Sequence, residues 1–144
     1  MLALHNEPYR PPMRYFLKGT MLFHGTGSME NFQVPDGPAW FALCIEDAKR
    51  WIRPTNMLLR TRAQGNSRVH CYELLHDISL VDLSKWGDHK RYRSMLSSGV
   101  ESPGMLNLAM AVKHQNHFGW VMRDEIMMVE PLKHLSFTKQ VKLS

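Results

Sequence analysis

The sequence predicts a single α+β domain of many short strands and few helices, and three observations predict it. Short apolar runs bounded by Gly, Pro, Asn and Ser recur along the chain, as strands and turns require. Only the stretch from Ser102 to Gly119 carries a sustained helical spacing of apolar residues. The 144 residues, 44% hydrophobic and 22% charged, fit one domain (residues 1–144) with one core.

The elements follow in order. Pro8, Pro11 and Pro12 break up residues 1–19, read as an irregular arm. Thr20–His24 is the first strand, a β-branched and apolar run that ends on a histidine. Residues 25–38, rich in Gly and Pro, form a loop or short helix. Ala39–Cys44 is a second apolar strand. Residues 46–52 form a short helix with Glu46 and Asp47 at its start and Lys49 and Arg50 near its end, as the helix dipole favours. Pro54 ends it. Residues 56–62 are read as a strand, 64–67 as a turn, and Arg68–Leu75 and Ile78–Leu83 as two further strands. Residues 85–98, polar and basic, are read as loop with a helical piece. Ser102-Pro103 caps a helix whose inner face holds Met105, Leu108, Ala109, Val112 and Asn116, with Gly119 as its stop. Ile126–Val129 is a strand stopped by Pro131, and 135–138 is the last.

Charge and cysteine usage narrow the function classes. The net charge is +5 with a pI near 9.4, and the segment 49–68 holds Lys49, Arg50, Arg53, Arg60, Arg62 and Arg68 without an acid. Such a stretch is either a solvated face or a patch for phosphates or an acidic partner. No helix-turn-helix, zinc-finger or RNA-binding signature accompanies it. Cys44 and Cys71 are too few for a disulfide framework and suit a reducing compartment. No run approaches the ~18 apolar residues of a membrane helix, and the N-terminus lacks a basic and apolar secretory signal. The expectation is a cytoplasmic protein of a bacterial or phage-infected cell, or an effector delivered into a host. His70-Cys71 with His76, and His114 with His117, lack a four-ligand metal spacing, so no metal is expected.

Three motifs carry chemistry. Phe23-His24-Gly25-Thr26 ends a strand with an imidazole and bare backbone. Trp40-Phe41-Ala42 lies on a strand followed by Ala48-Lys49-Arg50-Trp51 on a helix. Asp124-Glu125 opens the apolar run Ile126-Met127-Met128-Val129. In this order they resemble the ADP-ribosyltransferase superfamily, on its His-Tyr-Glu branch of diphtheria-toxin and poly-ADP-ribose-polymerase type. The resemblance covers about residues 20–137. It implies two small, mostly antiparallel sheets that form a split core with flanking helices, and NAD+ in the cleft between them.

The chemistry makes sense of such a set. Cleaving NAD+ at its nicotinamide glycosidic bond passes through an oxocarbenium-like state. A protein must hold the ring, fix the ribose and place negative charge beside the developing cation. The resemblance implies that Glu125 supplies that charge at the ribose 2′-hydroxyl, with Asp124 competing for the position. It implies that His24 grips a ribose on the adenosine side, and that Gly25 offers its backbone to the carboxamide, with Thr26 beside it. Phe41 and Trp51 are then the aromatic clamp for nicotinamide, or Trp40 in place of Phe41. Phe41 stands where the family has tyrosine, and Ala42-Leu43 stand where it has serine and threonine. Arg123, two before Glu125, argues against simple arginine modification. The expected function is mono-ADP-ribosyl transfer, of toxin or effector type, by a monomer, to a protein in preference to a nucleic acid. NAD+ is the substrate and there is no membrane partner. The alternatives are an RNA 2′-phosphotransferase-like enzyme that consumes NAD+ and a non-catalytic basic binding or inhibitor module on the same fold.

Overall fold

The computed structural model describes residues 9–26, 34–50, 68–97 and 105–142. In chain order its elements are β1 (Met13–Phe16), β2 (Met21–Thr26), β3 (Ala39–Ala42), α1 (Ile45–Arg50), β4 (Arg68–Leu74) and β5 (Ile78–Asp82). Then follow α2 (Trp86–Ser97), α3 (Met105–His114), β6 (Gly119–Met122), β7 (Glu125–Met128), a 3₁₀ turn (Pro131–Lys133) and β8 (Leu135–Lys142). The α+β class is as expected. The strands form one hydrogen-bonded order, β1-β5-β6-β7-β3-β2-β4-β8, antiparallel except between β5 and β6. The expected split survives as a seam. Between β2 and β3 only Phe23 and Ala42 pair, whereas β2 and β4 pair along all of Met21–Thr26.

Strand alternation explains the core. One face of the sheet carries Leu22, Phe41, Tyr72, Leu80, Ile126 and Met128, all fully buried. The other face is covered by helices. Ala42, Val69 and Cys71 lie under Ala48 of α1. Val81, Trp120 and Met127 lie under Tyr92 of α2 and Ala109 and Val112 of α3. Because β7 sits mid-sheet with both faces covered, Ile126, Met127 and Met128 are all buried, and the strand reads as a continuous apolar run.

The structure corrects several boundaries. The arm contains β1, which pairs with β5 from Met13↔Val81 to Phe16↔Ile78. Nothing in a run as short as Met-Arg-Tyr-Phe marks it; the free edge of β5 recruits it. Residues 85–98 are a full helix, α2. Its polar composition masks a buried seam of Tyr92 and Leu96, one helical turn apart. Gly119 is not a helix stop: α3 ends at His114, Asn116 takes the left-handed turn (φ 61), and Gly119 opens β6. β8 runs on to Lys142 because β4 offers a partner as far as Arg68. The strand expected over 56–62, Pro54 and the Ser102-Pro103 cap lie outside the described residues.

Among the described residues, His70 and His134 are buried and His117 is half-buried. His70 is 3% and His134 5% exposed. Burial holds both, and His117, below the ordinary imidazole value of 6.5, helped by nearby His24 at His70 and by His76 at His134. His76 Nδ1–H donates to the Asp77 carbonyl at 2.9 Å. Its Nε2 lies 3.1 Å from His134 Nδ1, a hydrogen bond between the two rings. The folded protein resists protons that the unfolded chain accepts near pH 6.5. The stabilisation is therefore complete above 6.5 and lost as pH falls through the lower folded values. The melting temperature is expected to hold between pH 8 and 7 and to drop steadily from 6.5 to 5. A flat profile over that range would show that these rings carry no such linkage.

Candidate functional site

The site begins at the β6–β7 hairpin. Met122 pairs with Glu125, so Arg123-Asp124 is a two-residue turn. Arg123 adopts φ 57, a left-handed conformation that glycine takes freely and other residues seldom do. Its neighbours hold it there. Its N–H donates to Ser84 Oγ at 3.2 Å, and its carbonyl accepts from Arg14 Nη1 at 3.4 Å. The Asp124 carbonyl accepts from Leu43 N–H at 3.0 Å, which ties the turn to the end of β3. Arg123→Gly is expected to remove about 1 kcal/mol of backbone strain. A melting temperature a few degrees higher would show it; an unchanged or lower one would show that the side chain offsets the strain.

This hairpin places Glu125 in register with Ala42 of β3, which pairs with Phe23 of β2, which pairs with Cys71 of β4. Cross-strand partners share a face. Glu125 therefore stands on the face that α1 covers, and its side chain is exposed. Beside it opens a cleft of about 520 Å³. Asp47 and Arg50 of α1 form one wall, and Trp86 and His89 of α2 form the other. Leu83, Met122 and Glu125 form the floor, with Arg123 and Asp124 at the rim. Arg50 Nη1 reaches Asp47 Oδ1 at 3.5 Å, so the α1 wall is close to neutral. The volume is in the ordinary range for a small-molecule site.

Of the expected residues, the structure gathers some and separates others. Glu125 and Asp124 both line the cleft, Glu125 from the strand and Asp124 from the turn. Trp40 pairs with Met127, two residues from Glu125 on β7 and so on the same face. It is half-buried, edge-on to Trp120 with ring centres 5.9 Å apart. Phe41 points the other way. It is fully buried, with Tyr72 at 5.4 Å and His24 at 6.0 Å, both edge-on. Phe41 as a clamp is therefore corrected: alternation turns it into the core, and of the adjacent pair Trp40 faces the Glu125 side.

His24 also differs from expectation. Its register partner is His70, and its ring contacts Phe41, so its side chain lies on the face opposite Glu125. Its Nδ1–H donates to the Trp40 carbonyl at 2.8 Å. That bond bridges the seam where the β2–β3 ladder is short, and it fixes the strand that carries Trp40. Gly25 and Thr26 end β2 opposite Val69 and Arg68. Trp51 lies outside the described residues. Reading residues 85–98 as loop with a helical piece hid the aromatic wall: Trp86 stacks on His89, ring centres 5.2 Å apart and 15° from parallel. The i, i+3 spacing of the two rings was the signal available.

Other features of the chain stand apart from this cleft. Among the described residues no group of three or more His, Cys, Asp or Glu side chains could hold a metal. Among the same residues no helix is long and apolar enough to cross a membrane. A second hollow of about 320 Å³, by Lys113, Phe118 and His134, contains none of the expected site residues.

The architecture is shared with a known structure. The chain is similar in fold to a chain of the M. tuberculosis MbcT–MbcA toxin–antitoxin complex. The match has a TM-score of 0.61 at 11% sequence identity and covers 89% of this chain and 86% of that one. Identity this low establishes the fold alone. No family model matches the sequence, and no curated protein matches it.

Proposed function

We propose that this protein is an NAD+-consuming ADP-ribosyltransferase whose reaction is centred on Glu125. The observation that carries the reading is the placement of that carboxylate. It opens a mid-sheet strand, in register with β3, at the floor of a cleft walled by α1. The resemblance of the His-Gly-Thr, aromatic-strand and Asp-Glu motifs to the ADP-ribosyltransferases supports it. So does a fold in which β2, β3 and β7, the strands that carry those motifs, lie side by side.

In this reading NAD+ enters between α1 and the floor. Glu125 accepts a hydrogen bond from the ribose 2′-hydroxyl and faces the cationic C1′ as the C1′–N bond breaks. The bonding electrons leave with neutral nicotinamide. An acceptor nucleophile then attacks C1′ and releases a proton. Of the expected aromatics among the described residues, Trp40 is the one on the Glu125 face, and it is assigned the stacking role. His24 acts on it through the backbone, by holding the Trp40 carbonyl. Gly25 offers backbone groups at the end of β2, with Thr26 beside it. Mono-transfer to a macromolecule completes the reading. The similarity to a chain of a toxin–antitoxin complex adds toxicity to it, with a protein antitoxin as the kind of partner to look for.

The test uses labelled NAD+, cell lysate and the full chain beside Glu125→Ala. Label on a macromolecule, absent with the variant, is the expected result. Free nicotinamide without label would redefine the protein as a glycohydrolase. Absence of NAD+ binding by calorimetry would overturn the reading.

A further inference from the structure

The α2 wall of the cleft has features that cleavage of NAD+ does not use. Trp86 is 70% exposed, yet its ring is held flat by His89 beneath it. His89 Nδ1 is buried without a hydrogen-bond partner, so this imidazole serves as a packing plate. The outer face of the indole is left open at the cleft mouth. An exposed tryptophan with a fixed ring plane is a stacking platform in want of a flat group.

Charge surrounds that platform. Lys90 lies one helical turn beyond Trp86 and is exposed, as are Lys85 just before it and Arg91. Arg91 lies over the Tyr9 ring at 4.3 Å, and the Tyr9 hydroxyl donates to Asp88 at 2.6 Å. The one acid of α2 is thus already engaged. Arg14 stands apart from this group: it pairs with Leu80 and lies over the Phe16 ring, on the sheet face opposite α2. The exposed cations Lys85 and Lys90 therefore bracket the stacking ring on α2, the helix that walls the cleft holding Glu125. Asp124 and Glu125 keep the turn and the floor acidic, so the phosphates of a strand would follow the α2 side.

We propose that this face of α2 is a binding track for single-stranded nucleic acid, in which an unpaired base stacks on Trp86 while Lys90 and Lys85 meet the backbone phosphates. The track leads a nucleotide to the cleft, and within the reading above, on which this point rests, it makes that strand the acceptor of the ADP-ribose. Stacking explains the open indole face, which a ligand bound by charge alone would not need. Duplexes bind poorly because their bases present no free face to the ring.

The probe is a fluorescein-labelled mixed-sequence ten-nucleotide RNA, with DNA of the same sequence and the matching duplexes beside it, followed by anisotropy. Binding of the single strands is expected to exceed that of the duplexes and to weaken steeply with salt. Trp86→Ala, at an exposed position that leaves folding intact, is expected to weaken it about tenfold. Lys90→Ala combined with Lys85→Ala is expected to flatten the salt dependence. Equal affinity for duplex, no effect of Trp86→Ala, or no binding in low salt would each overturn the track. Labelled NAD+ is then offered with the RNA and with lysate protein. Label on RNA supports the acceptor role, and label on protein alone overturns it. NAD+ titration by calorimetry keeps the two ideas separable: loss of NAD+ binding with RNA binding intact would sink the transferase reading and spare the track.

Discussion

Glu125→Gln is expected to lower NAD+ consumption about 10²–10³-fold, the cost of removing one preorganised charge from a developing cation. The substitution keeps the shape and removes only the charge. Glu125 is exposed, and no ion pair among the described residues holds its carboxylate. The melting temperature is therefore expected to stay within a degree or two. Loss of activity at constant stability assigns the chemistry to this side chain. Asp124 gives the internal control. It is tied to Leu43 through its backbone carbonyl, which Asp124→Asn leaves in place. That variant is expected to retain activity within a factor of a few. If Asp124→Asn abolishes turnover and Glu125→Gln does not, the two roles are reversed. Nicotinamide release under steady-state conditions reads both, and cell growth on expression offers a second readout if the product is toxic.

Gly119→Ala is expected to be strongly destabilising. Gly119 opens β6 at φ 155, and a Cβ there would overlap the Met127 carbonyl oxygen and sit 3.0 Å from Met127 C and Met128 Cα. These are backbone atoms of β7, so no rotamer change relieves the overlap. Overpacking and the disfavoured φ together cost about 3–5 kcal/mol, a large share of the roughly 5–15 kcal/mol that holds a domain folded. Urea denaturation of the soluble protein measures it, and recovery only as insoluble protein points the same way. A loss below about 1 kcal/mol would mean that β7 yields, against the packing of a strand buried on both faces. Because β7 carries Glu125, any Gly119→Ala protein that folds is also expected to consume NAD+ more slowly.

Much of the strand pattern was legible in local sequence. The runs at Leu22-Phe23, Ala39–Ala42, Arg68–Leu74 and Ile126–Met128 are apolar enough to announce themselves, and each is a strand. Where the reading failed, the missing information was non-local. β1 is a strand because β5 has a free edge, and no property of Arg14 or Tyr15 encodes that edge. α2 was obscured because the charged Lys90, Arg91 and Arg93 outweigh the two side chains, Tyr92 and Leu96, that bury it. Gly119 reads locally as a helix stop because glycine serves both helix ends and close contacts, and only the neighbouring strand shows which one applies.

The candidate site divides along the same line. By itself the sequence determined the carboxylate at a strand start, the histidine at a strand end and the aromatic pair between them, because these rest on residue type and order. It could not say which member of an adjacent pair faces the cleft. A one-residue shift of register turns every side chain of a strand to the other face, and register is set by the partner strand. Pairing of Ala42 with Glu125 is what puts Trp40 on the Glu125 face and sends Phe41 into the core. Pairing of His24 with His70 is what sends that imidazole to the opposite face and binds it to the Trp40 carbonyl. The wall of Trp86 and His89 exists only because β5, β6 and β7 lie side by side and bring α2 to the floor that holds Glu125.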